Sequence, residues 1–338
     1  MFEIIDLINT SHIFFAHSGI TAAVSERIIE RKVIKNDQIG FVLDRGIEIS
    51  LFENAICFSE RSFRKQWMLS KLVSVFFRLL FASKIISKDR FLDWASSRGY
   101  FMMRGFYLYL PHALLRSFKM VQSPFCLGYY YIEEGLASYI SIHYTSDNRF
   151  GQPLFPETHK YCGSYGLYNA FKQSSNRVIL EHLYQDEKSP KGESLIVVDG
   201  LIDHKESLVS TAQYIKVLKE LIIPKALSLS KNLIIKYHPT ILNEENKLVK
   251  SQLDKVFQRI EVLHPEISVS YQGKEVNLEY YCYKYMPNVF TIMSSTGHYA
   301  YEFGCPVYTA YQHLAPELKQ LSALSDWFEQ LTKPWNQL

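Results

Sequence analysis

The chain has 338 residues, 47% of them hydrophobic, which is longer than one ordinary core tends to be, so two domains are expected. Its 37 Lys and Arg nearly balance 34 Asp and Glu, and a formal net charge of +3 excludes a general nucleic-acid-binding surface. The cysteines, Cys57, Cys126, Cys162, Cys282 and Cys305, are scattered with no C-x-x-C pair, which excludes a disulfide framework and a thiolate zinc site.

Glu3 and Asp6 precede any apolar stretch, which argues against a signal peptide, and together with the cysteine pattern this suits a cytoplasmic protein. His12 to Ala16 reads as a buried strand, His17-Ser18-Gly19 as a tight turn and Ile20 to Arg31 as a helix with apolar positions at helical spacing. Ile39 to Leu43 is a second strand, and Cys57 sits in or beside a third. Helical material is expected from Phe63 to Ile86, where Leu72 to Ala82 is interrupted by Arg78 and is too short to cross a bilayer. Phe106 to Leu110 and Phe125 to Ile132 are further strands, the second delivering Glu133 and Glu134 at its carboxyl end, the edge where ligands of open α/β sheets gather.

The stretch from Tyr144 to Tyr165, rich in Gly, Pro, Asn, Asp and Thr, reads as loop, and the polar segment Gln185 to Glu193 as the domain boundary. Alternation then restarts: strand Ser194 to Val198, helix Leu208 to Leu221, strand Leu233 to Lys236, helix Glu244 to Ile260, strand Ile267 to Ser270. A short helix near Asn277 to Tyr283, strand Val289 to Met293, helix Gly297 to Phe303 and strand Val307 to Thr309 follow. This is a parallel sheet wound with helices. A last helix, Pro316 to Leu331, is long enough to reach back over the first domain. The expected division is therefore an N-terminal domain 1–188, a second domain 189–315 and a returning C-terminal segment 316–338.

Three short motifs carry chemistry. Glu133-Glu134-Gly135 supplies a carboxylate able to take a proton from an attacking hydroxyl. Adjacent side chains diverge, so one base and one structural partner are expected, against the plain alternative of a solvated helix start. His238-Pro239 ends an apolar strand and can present a proton donor, with Lys236 adding positive charge; the plain alternative is a strand stop. His264-Pro265 lacks an apolar strand before it and is read as structural. Ser294-Ser295-Thr296-Gly297 opens a helix and can hold a phosphate with side-chain and backbone donors, which is compatible with simple helix capping. His298, one turn inside, is left out of the catalytic set.

In this order and spacing the three motifs resemble those of bacterial sialyltransferases and polysialyltransferases of the GT-B type, which share a [DE]-[DE]-G triplet, a His-Pro pair and a Ser-Ser or Ser-Thr pair. The resemblance implies an α/β GT-B fold, two Rossmann-like domains facing across a cleft, with the general base on the acceptor-side first domain and the CMP-sugar on the second. It implies Glu134 as base with Glu133 in reserve, His238 assisting departure of CMP, and Ser294 and Ser295 on the phosphate. A Glu upstream of the Ser pair holds the cytidine ribose in that family, and Glu279 stands at a suitable distance. The implied reaction is inverting displacement at the anomeric carbon of CMP-sialic acid or a related CMP-nonulosonic acid, with no cofactor. The absence of a D-x-D triplet agrees with metal independence.

His17 and Ser18 are candidates to touch the acceptor, or Ser18 caps the first helix. The basic, aromatic-rich segment 61–90 reads either as a solvated helix face or as a peripheral contact with the inner membrane, where a lipooligosaccharide or capsular acceptor would be assembled. Two other functions fit the pattern: a GT-B enzyme using a UDP- or GDP-sugar, and a non-catalytic glycan-assembly protein.

Overall fold

A computed structural model of the chain describes residues 12–16, 18–35, 39–43, 56–59, 105–111, 121, 126–139, 160–171, 174, 176–181, 183–202, 209–273, 276–318 and 325–338. His17, the segment 61–90 and the helix expected from Phe63 to Ile86 lie outside them. The chain divides into two compact units, Met1–Leu183 and Tyr184–Leu338, with the division just before the polar stretch 185–193.

The first unit is built on a parallel sheet. Its strands are β1 (His12–Ala16), β2 (Ile39–Leu43), β3 (Ile56–Ser59), β4 (Phe106–Leu110), β5 (Cys126–Ile132), β6 (Tyr161–Gly166) and β7 (Arg177–Ile179), in the order β3-β2-β1-β4-β5-β6-β7. Strands such as HIFFA and IGFVL are continuous apolar runs because both faces of a parallel sheet are covered. Helix α1 (Gly19–Lys32) follows β1. A capping box between Ser18 and Thr21 starts it, and Val33, in the left-handed region at φ 53, ends it.

β6 and β7 are additions to the expected set. The sequence YCGSYG reads as loop, yet its glycines are what let it pair: Gly163 adopts φ +143, and a Cβ there would meet the Asn176 carbonyl. Across the pairing irregularity on β5, Gly128 leaves the space that the Cys162 sulfur occupies.

In the second unit the strands β8 (Ser194–Val198), β9 (Asn232–Tyr237), β10 (Ser268–Tyr271), β11 (Asn288–Thr291), β12 (Val307–Thr309) and β13 (Asn336–Gln337) form a parallel sheet in the order β10-β9-β8-β11-β12-β13. The first crossover is helical from α2 (Thr211–Val217) through a π-helical turn (Leu218–Ile222) into α3 (Ile223–Leu229). It starts and ends later than the sequence pattern suggests, because Ser210 is the residue that caps it. Helices α4 (Lys247–Leu263), α5 (Leu278–Tyr285) and α6 (Ser295–Glu302) connect the later strands.

Over the helix expected from Pro316 to Leu331 the described residues show α7 (Tyr311–Leu318), which starts earlier than expected, and α8 (Ser325–Thr332); residues 319–324 lie outside them. The chain then returns to the second sheet, where β13 pairs with β12 and the buried Trp335 joins a cluster with Leu195, Val289 and Ala300. No helix of the described residues is long and apolar enough to cross a membrane.

Counted within each unit, both sheets run 3-2-1-4-5-6, the doubly wound order, and the first extends it by β7. The order reverses between β1 and β4 in one sheet and between β8 and β11 in the other. Crossovers leave these two gaps in opposite directions, which opens a crevice at the carboxyl ends of the strands.

Candidate active site

At the carboxyl end of β5 the two glutamates take different paths. Glu133 is fully buried; its Oε1 accepts a hydrogen bond from the Tyr139 hydroxyl at 2.6 Å and its Oε2 accepts one from the Leu167 backbone N–H. Its own N–H donates to the Tyr165 carbonyl at 3.0 Å, extending the ladder with β6. A Cβ at position 166 would stand 3.2 Å from Glu133 Oε2, so glycine there gives the carboxylate its seat. Glu134 is half-exposed, and its backbone N–H donates to Ser138 Oγ at 3.0 Å. Gly135, at φ 137, turns the chain between the pair and the short 3-10 helix Leu136–Tyr139. One glutamate faces the core and its neighbour faces the rim.

Ser18 stands at the carboxyl edge of β1 as the N-cap of α1, where its Oγ accepts from the Thr21 N–H at 3.2 Å. Its hydroxyl is thus engaged in the helix start. His17 lies outside the described residues.

The second-unit candidates gather where β9, β8 and β11 end side by side. His238 follows β9, and its N–H donates to the Val198 carbonyl at 2.9 Å, so it prolongs the β9–β8 ladder. Its imidazole is exposed and folds back on the 3-10 turn begun by Pro239: Nδ1 lies 2.6 Å from Thr240 Oγ1 and accepts from the Thr240 N–H at 3.4 Å. A backbone N–H can only donate, so Nδ1 is an acceptor and the neutral ring carries its hydrogen on Nε2. That tautomer makes Nε2 a donor. Gly200, after β8, is the residue that lets the ring lie there, since a Cβ would come within 2.8 Å of His238 Nδ1.

Lys236 and Glu279 form a second group. Lys236 lies two residues beyond the core-facing Ile234, on the same face of β9, and is buried, with its ammonium donating to the Gly273 carbonyl. Glu279 lies in the first turn of α5, which Asn277 caps by accepting the Tyr280 N–H at 3.0 Å. Burial pushes the Glu279 carboxyl above the usual carboxylate range, opposed by its own N–H, by the Thr296 hydroxyl at 3.2 Å and by the charge of Lys236.

The hydroxyl-rich turn divides its labour. Ser294 Oγ caps α6 by accepting the Gly297 N–H at 3.0 Å, Thr296 is buried against Glu279, and Ser295, half-exposed in the first turn, does neither. His298 is buried one turn inside α6, and burial pulls it down to about 4, so at neutral pH it is an uncharged core residue. His264, with its N–H on the Ile260 carbonyl at 2.8 Å, closes α4 and has no place at this edge.

Sequence reasoning missed Asp199. It follows the wholly buried β8, is itself 3% exposed, and accepts four hydrogen bonds. Oδ1 takes the Thr291 hydroxyl at 2.8 Å and the Met293 N–H at 3.2 Å; Oδ2 takes the Ile292 N–H at 2.9 Å and the Tyr214 hydroxyl at 3.1 Å. The signal was an acidic residue followed by glycine directly after five apolar-pattern strand positions, at the first strand of a wound sheet.

Fold and edge together define an α/β protein of two Rossmann-like units, the domain composition of the GT-B type, with its chemistry-bearing side chains on the carboxyl edges of both sheets. No family model matches the chain, and no curated protein matches it. Among solved structures it is similar to one titled "S. aureus MnaA-UDP co-structure", with a TM-score of 0.48 and 11% sequence identity over 97% of this chain and 92% of that one.

Proposed function

We propose that the chain is a glycosyltransferase that uses a nucleotide-activated sugar, and that its donor is a CMP-linked nonulosonic acid of the sialic acid type. The observation that carries this reading is the placement of side chains from separate stretches of sequence at the carboxyl edge of the second sheet: Lys236 and His238 at the end of β9, and the Ser294–Thr296 turn after β11, with Thr296 bonded to Glu279. Side chains of these types in one place suit a nucleoside monophosphate: a carboxylate for ribose hydroxyls, a helix N-terminus and serine for phosphate oxygens, and an imidazole Nε2–H for the leaving oxygen.

In the reaction proposed, an acceptor hydroxyl of a surface glycan or glycolipid attacks the anomeric carbon from the face opposite CMP. A new C–O glycosidic bond forms as the bond to the phosphate oxygen breaks, with inversion. Glu134, at the rim of the first sheet, takes the hydroxyl proton, and CMP departs with its phosphate stabilised by His238 and the Ser294–Ser295 turn. No metal is required in this scheme.

The test is CMP release from CMP-sialic, CMP-legionaminic and CMP-pseudaminic acids in the presence of EDTA, compared between the wild type and His238→Ala. Release that falls about a hundredfold or more in the variant supports the mechanism. Unchanged release sinks it. A thermal-shift comparison of CMP, UDP and GDP fixes the donor class: stabilisation by UDP or GDP in place of CMP moves the enzyme to nucleoside-diphosphate sugars. Glycan binding that ignores both nucleotide and His238→Ala makes it an assembly protein.

A further inference from the structure

Asp199 is a buried carboxylate outside the set that the motifs identify, and three of the four hydrogen bonds it accepts come from one place. The main-chain N–H groups of Ile292 and Met293 and the hydroxyl of Thr291 end on it, and these are the residues that carry the chain from β11 to the cap of α6. From the other side Tyr214, itself buried on α2, donates its hydroxyl hydrogen to Oδ2 and accepts the Asp199 N–H at 2.9 Å. One side chain thus ties the ends of β8 and β11 to the first crossover helix, across the gap where the strand order reverses.

We propose that Asp199 is a positioning residue for the phosphate of the bound nucleotide, acting through the 291–294 backbone and not by contact with the ligand. This rests on the nucleotide reading above. Two donors converge on each carboxylate oxygen, an arrangement that an amide cannot copy because one of its two heads carries hydrogens. The single hydroxyl hydrogen of Thr291 is taken by the carboxylate. Thr291 Oγ1 then faces Ser294 Oγ, 3.1 Å away, as an acceptor, and Ser294 in turn receives the Gly297 N–H. The chain of bonds runs from Asp199 through Thr291 to the cap, so the orientation of the first-turn N–H groups of α6 is set from a buried residue outside the turn. Burial raises its pKa, and the hydrogen bonds from these four donors oppose that rise.

The experiment measures CMP and cytidine binding to the full chain and to Asp199→Asn, with hydrogen exchange of the 289–297 amides in both. The expected result is a CMP Kd raised about tenfold, a cytidine Kd unchanged within about twofold, and faster exchange in that segment. Equal loss of CMP and cytidine, or no loss of CMP, overturns the proposal, because a merely structural defect does not single out the phosphate. Should Asp199→Asn fail to fold, Tyr214→Phe removes one of the four donors and is expected to weaken CMP about threefold with cytidine unchanged, under the same criterion. A wild-type chain that binds UDP instead is tested with UDP and uridine. A wild-type chain that binds neither nucleotide overturns the nucleotide reading and this one together, whereas equal CMP binding by wild type and Asp199→Asn overturns this one alone.

Discussion

Exchanging each member of the glutamate pair for glutamine separates structure from chemistry. In Glu133→Gln the Leu167 N–H must keep an oxygen, so the amide NH2 faces the Tyr139 hydroxyl, which has to turn from donor to acceptor. Two charge-assisted bonds become neutral ones, a loss of roughly 1 kcal/mol each, partly offset because a charge is no longer buried. A net cost of about 1–2 kcal/mol lowers the melting temperature of a unit of this size by about 3–6 °C. Glu134 is half-exposed, so Glu134→Gln should move the melting temperature by less than about 2 °C while CMP release falls about a hundredfold or more. Calorimetry and the release assay on the same preparations check both. Near-normal turnover in Glu134→Gln, or a Glu133→Gln variant that melts like the wild type but is inert, would refute the division of roles.

Further predictions concern the second site and pH. Gly200→Ala puts a Cβ 2.8 Å from His238 Nδ1, so CMP release should fall about 10²-fold with the fold intact by circular dichroism. His298 has a native pKa of about 4 against 6.5 unfolded, so the unfolded state binds the extra proton first and stability declines as pH falls from 6.5 toward 4. His298→Phe should flatten that decline in pH-dependent melting curves. Glu26 behaves oppositely: burial, with Glu30 beside it, raises its pKa from 4.5 to about 7, so its contribution is present below 4.5 and is lost as pH rises toward 7. Glu26→Gln should therefore raise the melting temperature at pH 8 and leave it unchanged at pH 4.

The strands that the sequence announced are those with apolar runs, such as Phe106 to Leu110 and Leu195 to Val198, where burial on both faces favours apolar residues. β6 escaped because Gly163 and Ser164 carry none of that signal; the strand exists through what its neighbours allow, a long-range condition that no local window contains. The start of α7 was equally hidden, since Pro316 sits inside a helix that the pattern placed it at the head of. Motif and strand end together placed Glu133, Glu134, His238 and Ser294 at the carboxyl ends of strands, yet could not say which glutamate turns inward. That choice is made by Tyr139 and Leu167, residues whose approach depends on how β6 pairs with β5. The partners of Asp199 were unreadable for the same reason, as its donors come from β11 and α2, far away along the chain.

Gly297 and Trp335 meet where a Cβ on the glycine would lie 3.0 Å from the indole ring and 2.8 Å from the Thr291 methyl. The two positions are therefore one unit of variation. A side chain at 297 demands a smaller residue at 335 as well as room at Thr291, and a related chain that keeps the bulky ring must keep the glycine. Drift in the tail of the protein is thereby constrained by the Ser294–Gly297 turn, far from it along the chain.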